Sequence, residues 1–194
     1  MEEKNKHYYI LNFITIGFYF LIFFSLKIGI NHDVMFHTLD SQTYLEVANW
    51  LGKGVETQST SIRPIFYPLL LLLLSNIYII WFFQFIVWVL TSNLTFWSVY
   101  KLTKRNDLAY LSTLIIISNL TLIALTLHAL TEVLVTFLLS LLIYFIVKNI
   151  ERAKDLSFIH ICILILIILT ITKPVFLIPL LITLFLILPV FYLK

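Results

Sequence analysis

Residues 33–68 read DVMFHTLDSQTYLEVANWLGKGVETQSTSIRPIFYP, and six leucines follow, Leu69 to Leu74. This polar stretch is set between long apolar runs, and its end decides the topology. The run Ile65–Leu74 is too short to cross a hydrocarbon core of about 30 Å. If it stays on one side of a membrane, every later apolar run changes sides once. If it crosses, all of them invert.

Working outward, the rest of the chain is almost entirely spanning pattern. Its 194 residues are 61% hydrophobic and only 12% charged, against roughly 25% charged in soluble domains, and the mean hydropathy is +1.01. Recurrent apolar runs of this length indicate α-helical spans. A β-barrel would need short alternating segments, which the sequence lacks. Spans are expected near 8–26, 77–100, 108–126, 131–147, 156–172 and 174–193. The first reads as a retained signal anchor, since no small-residue cleavage site follows it. The expected fold class is therefore all-α integral membrane, one module over 1–194 with about six transmembrane helices. Its first outer loop, 27–76, carries two juxtamembrane helices.

Charge bias sets the orientation. With Ile65–Leu74 on the outer side, Lys4, Lys6, Lys101, Lys104, Arg105, Lys148, Arg152, Lys154 and Lys194 face the cytoplasm. Lys27, Lys53, Arg63 and Lys173 face outward, nine against four, in the direction of the positive-inside rule. The opposite topology leaves only Lys4, Lys6 and Lys173 inside. The expectation is a multi-pass plasma-membrane protein with a cytoplasmic N-terminus and its working face outside. Asp40, Glu46, Arg63, His128, Glu132 and Lys173 then share the outer face.

Several classes fall away. The net charge of +3 matches loop bias and gives no support for nucleic-acid binding. The single cysteine, Cys162, allows no disulfide framework or thiolate metal cluster. With four glycines there is no phosphate-binding Gly-rich loop. Asn93-Leu94-Thr95 and Asn119-Leu120-Thr121 match glycosylation sequons but lie inside expected spans. His32, His37 and His128 carry no metal-ligand spacing.

Tyr44, Val47, Ala48 and Leu51 recur at helical spacing, so a short amphipathic helix follows Asp40 and is expected to stop at Gly52 and Gly54. Asp40 stands where a helix N-cap would stand. It reads equally as that cap and as an ionised general base or a ligand for a divalent cation. Arg63 precedes a helix start and offers a planar fork for a phosphate; a lipid headgroup contact is the plainer reading. Tyr67 reads as an interfacial aromatic or as a site residue. Glu132, in His128-Ala129-Leu130-Thr131-Glu132, reads as a cavity-facing carboxylate or as a helix-end acid beside a capping Thr131. Lys173, before Pro174, reads as a snorkelling lysine.

Taken in order, Asp40-Ser41-x-x-Tyr44, an amphipathic helix ending in glycine, and Arg63-Pro64-x-x-Tyr67-Pro68 with its leucine run resemble the first outer loop of GT-C glycosyltransferases. The branch is that of the dolichyl-phosphate-mannose protein mannosyltransferases and their bacterial relatives. Leu130-Thr131-Glu132 and Lys173-Pro174 are similar to that branch as well. The resemblance covers roughly residues 8–190. It implies an integral membrane enzyme that transfers a sugar from a polyprenyl-phosphate-linked donor to a lipid, glycan or protein acceptor on the outer face. Family members are several hundred residues long, so 1–194 would correspond to the N-terminal transmembrane part of a larger fold.

The resemblance matches the family's essential first-loop acid to Asp40 and its arginine to Arg63. The expected site then has Asp40 and Glu132 as catalytic residues and Arg63, Tyr44, Tyr67, His128 and Lys173 as substrate-binding ones. Asp40 would take the acceptor's proton, directly or with a divalent metal ion, and Arg63 with Lys173 would steady the lipid phosphate. Two other classes compete. A non-catalytic membrane module that binds the lipid carrier would need Arg63 but not Asp40. A transporter would place ionisable groups or broken helices mid-membrane, where this chain has mostly Ser, Thr, Asn93 and Gln84.

Overall fold

The computed structural model describes residues 2–25, 29–54, 63–149 and 156–192. Helices account for nearly all of them, and no strand occurs among the described residues. The elements in order are α1 (Glu2–Ser25), α2 (His32–Met35), α3 (Leu39–Lys53), α4 (Phe66–Leu74), α5 (Ile77–Thr103), α6 (Asn106–Ile117), α7 (Leu120–Leu125), α8 (Thr131–Lys148), α9 (Leu156–Thr172), a single 3-10 turn at Pro174–Phe176, and α10 (Leu177–Tyr192).

The helix α5, of 27 residues, and α8, of 18, are long and apolar enough to cross a membrane. Shorter apolar helices fill Tyr9–Ser25, Asn106–Ile117, Ser157–Thr172 and Pro174–Phe185. The expected third span, 108–126, is not one helix. It breaks at Ser118-Asn119, because the Asn119 side chain accepts from the Leu122 amide at 3.2 Å and starts α7 afresh. An asparagine side chain competes with the backbone for these donors and favours a cap over a helix interior.

The long helices are joined by polar contacts between side chains. Asn93 donates to Asn12 at 2.8 Å and Thr15 meets Ser92 at 3.1 Å, tying α1 to α5. Tyr19 meets Thr126 at 2.8 Å and accepts from the Trp81 indole at 3.0 Å. Among apolar spans such hydrogen bonds supply part of the association that the hydrophobic effect does not. Large apolar side chains, among them Phe13, Phe82, Ile115, Leu164 and Phe185, point outward instead.

The two ends of the bundle differ. At one end His7 meets Tyr110 and Lys101 donates to the Lys148 carbonyl. At the other, α2, α3 and α4 lie over the ends of α5, α8 and α9. The core there contains Met35, Phe36, Tyr44, Tyr67, Leu71, Ile80, Leu130 and Leu169.

The helices α3 and α4 pack as a pair. Tyr44, Val47 and Ala48 are buried, as the helical spacing predicts. Gly52 does not stop α3, which runs on to Lys53. A Cβ at Gly52 would lie 2.9 Å from a Leu72 methyl, so its lack of side chain is what lets α4 approach. Gly54 is the stop: it caps α3 at φ +72°, and its amide donates to the Trp50 carbonyl at 2.7 Å. The helix α4 has nine residues, roughly 14 Å of rise, too short to span. It turns sharply at Ser75 (φ 47°) into α5, which the Asn76 side chain caps through the Tyr78 amide at 2.8 Å.

Candidate functional site

The cap of α3 is Thr38, not Asp40. The Thr38 hydroxyl accepts from the Ser41 amide at 3.1 Å, and the Ser41 hydroxyl donates to the Thr38 carbonyl at 2.8 Å. Two cap-competent residues stand two positions apart, and the threonine takes the backbone donors. Asp40, in the first turn, is therefore left with its carboxylate available for other partners.

That partner is Arg63, whose guanidinium donates to Asp40 Oδ1. Arg63 Nε donates to the Thr43 hydroxyl at 2.9 Å, and its guanidinium carbon lies 5.1 Å from the centre of the Tyr44 ring. Asp40, Thr43 and Tyr44 share one side of α3 by their three- and four-residue spacing. Arg63, at the end of the chain segment before α4, closes over that side. The Asp40 side chain is 53% exposed and Arg63 24%, and an ion pair so open to solvent contributes only about 0–1 kcal/mol. It can therefore open for a competing anion at little cost, while Thr43 and Tyr44 keep the guanidinium in place.

Tyr44 continues the site inward. Its ring meets Tyr67 edge-on, with centroids 5.3 Å apart. Tyr67 is 1% exposed, so it is a core residue and not an interfacial aromatic. Burial first, and then the charge of Glu132 and the neighbouring Tyr44, push its phenol well above the ordinary value of 10.0. Tyr67 is thus a permanent hydrogen-bond donor, not a base. Its hydroxyl donates to Gln84 Oε1 at 3.4 Å, and Gln84 Nε2 donates to the Thr126 carbonyl at 3.2 Å.

Glu132 lies in the first turn of α8. Leu130 occupies the cap position, and the buried Thr131 hydroxyl has no partner among the described residues, so Thr131 does not cap. Lys173 donates to Glu132 Oε1 at 2.6 Å, joining α8 to the break before Pro174. This is not a snorkelling lysine: both side chains are about one-third exposed, at 33% and 32%. The other carboxylate oxygen, Oε2, is buried without a hydrogen-bond partner among the described residues. A buried carboxylate oxygen left without a protein partner is costly.

His128 is engaged elsewhere. Its Nδ1 donates to the Val34 carbonyl at 2.6 Å, and the Ala129 amide donates to the Met35 carbonyl at 2.9 Å. Both bonds clamp α2 onto the segment before α8. No three His, Cys, Asp or Glu side chains among the described residues converge as a metal site, and Asp40 is paired with Arg63.

Asp40, Arg63, Tyr44 and Tyr67 thus form one group of contacts across α3 and α4, and Glu132 with Lys173 forms a second couple. Sequence reading missed Thr43 and Gln84. Thr43 could have been found from its helical spacing to Asp40, and Gln84 from being one of two amides, with Asn93, in the apolar run 77–100. No protein-family model, curated protein or solved structure matches this chain.

Proposed function

We propose that this chain is a membrane glycosyltransferase module that handles a polyprenyl-phosphate-linked sugar at the end of the bundle carrying α2, α3 and α4. The observation that carries the reading is the pair of carboxylate–cation couples, Asp40–Arg63 and Glu132–Lys173, the first of them backed by the Tyr44 and Tyr67 rings. Glycosyl transfer from a lipid phosphate needs both halves. A carboxylate takes the proton from the attacking acceptor, and cations steady the departing phosphate. Arg63 supplies a planar fork held by Thr43, and the Asp40 carboxylate is released toward the acceptor when the phosphate draws Arg63 away. Glu132, with one oxygen unpaired, holds the acceptor or a cationic group.

The surrounding helices support the same reading. Outward apolar side chains suit a lipid environment, and α5 and α8 are long enough to cross it; in this reading the four shorter apolar helices complete about six crossings. The proposed orientation puts His7, Lys101, Arg105 and Lys148 inside.

The test uses the chain in liposomes with a radiolabelled polyprenyl-phosphate mannose. Asp40→Asn is expected to abolish transfer and retain donor binding, whereas Arg63→Ala weakens both. Full transfer by Asp40→Asn would overturn the assignment. Donor binding without transfer in the parent chain would instead establish the carrier-binding module.

A further inference from the structure

A groove of about 480 Å³ opens between α2 and α3, well within the size of small-molecule sites. Gln42, Leu45, Glu46 and Asn49 line it from α3. Their spacing of three, four and seven residues puts them on one face. At 3.6 residues per turn that face lies about half a turn from Asp40, Thr43 and Tyr44. One short helix therefore presents the Arg63 cluster on one side and this groove on the other.

The two sides differ in chemistry. Asp33 and Glu46 bring two carboxylates to the groove, and among the described residues neither lysine nor arginine lines it. An anionic phosphate would find no cationic partner among them. Gln42 and Asn49 each offer an amide that both donates and accepts, and His32 and His37 add imidazoles of the same dual capacity. These polar groups are exposed along the walls, while Phe36 is buried and Leu45 half-buried. Mixed donors and acceptors over an apolar floor fit the alternating hydroxyl and C–H surfaces of a sugar.

We infer that this groove binds an uncharged, hydroxyl-rich glycan, the part of the acceptor remote from the hydroxyl that reaches round α3 to Asp40, while the anionic carrier is taken on the Arg63 side. The inference rests on the transferase reading for the word acceptor, but the groove's sugar binding is measurable without transfer.

The experiment is saturation-transfer NMR on the full chain in nanodiscs. The probes are neutral trisaccharides built from glucose, mannose or N-acetylglucosamine, with trigalacturonate as the anionic control and spermidine as the cationic one. At least one neutral trisaccharide should bind, and trigalacturonate should not. The double substitution Gln42→Leu/Asn49→Leu, at exposed positions, should leave the thermal midpoint unchanged and weaken binding roughly tenfold through lost hydrogen bonds. Arg63→Ala should leave it unaltered. Binding of spermidine alone, of no neutral sugar, or of a sugar that survives the double substitution would overturn the inference. Polyprenyl-phosphate mannose binding is followed separately. Its absence beside intact sugar binding would remove the transferase reading and keep the groove, and the reverse result would remove the groove alone.

Discussion

Replacing Gln84 by leucine tests one of the contacts that hold α4 and α2 to the bundle. Gln84 is 2% exposed on α5. It accepts from Tyr67 of α4 at 3.4 Å, donates to the Thr126 carbonyl before α8 at 3.2 Å, and lies 3.8 Å from Met35 Sδ of α2. Leucine has nearly the same bulk but neither donor nor acceptor. The Tyr67 hydroxyl, in a residue 1% exposed, is then stranded, and the Thr126 carbonyl loses a donor. A buried polar group left unpaired costs about 1–3 kcal/mol, partly offset by the more apolar side chain. Hydrogen bonds between membrane helices average only about 0.6 kcal/mol. Because two groups lose their partner together, we expect a loss of about 2 kcal/mol, read from unfolding titrations in mixed micelles. Amide exchange should rise over 66–74 and near Met35 and stay unaltered at the Lys101–Lys148 end. The double variant Gln84→Leu/Tyr67→Phe should recover part of the loss, since it removes the stranded hydroxyl. A loss no larger than the membrane average, or uniform exchange, would refute the clamp.

Three further outcomes follow from the same geometry. Thr38→Ala should cost about 1 kcal/mol as a lost cap and fray the first turn of α3, whereas Asp40→Ala should cost at most about 1 kcal/mol as a solvent-open ion pair and leave that turn protected; equal fraying in both would return the cap to Asp40. In a Cys162→Ala background, an impermeant thiol reagent should label Ser75→Cys and not Thr103→Cys in right-side-out vesicles, and the opposite result would invert the proposed orientation. The raised phenol of Tyr67 ties stability to alkaline pH: its contribution is fully present below the unfolded value of 10.0 and is lost as pH rises beyond it, because the unfolded chain ionises while the folded one stays protonated. Tyr67→Phe should flatten that decline in a pH series of unfolding midpoints, and an unchanged slope would contradict the burial argument.

The sequence by itself determined whatever depends on local pattern. Long apolar runs made the chain helical. The spacing of Tyr44, Val47 and Ala48 set the buried face of α3, and the brevity of Ile65–Leu74 kept α4 from spanning. These follow from side-chain periodicity and length, which act within a few residues. Tertiary structure decided the competition between equivalents. Thr38 and Asp40 both suit a cap, and only the docking of Arg63, 23 residues away, shows which carboxylate is drawn elsewhere. Lys173 reads as a lone interfacial cation until the break at Pro174 brings it to Glu132, 41 residues earlier. Gly52 looks like a helix stop until Leu72 packs on it, and Gln84 looks incidental until three elements converge on its amide. Such pairings depend on where whole helices come to rest, and no local periodicity encodes that.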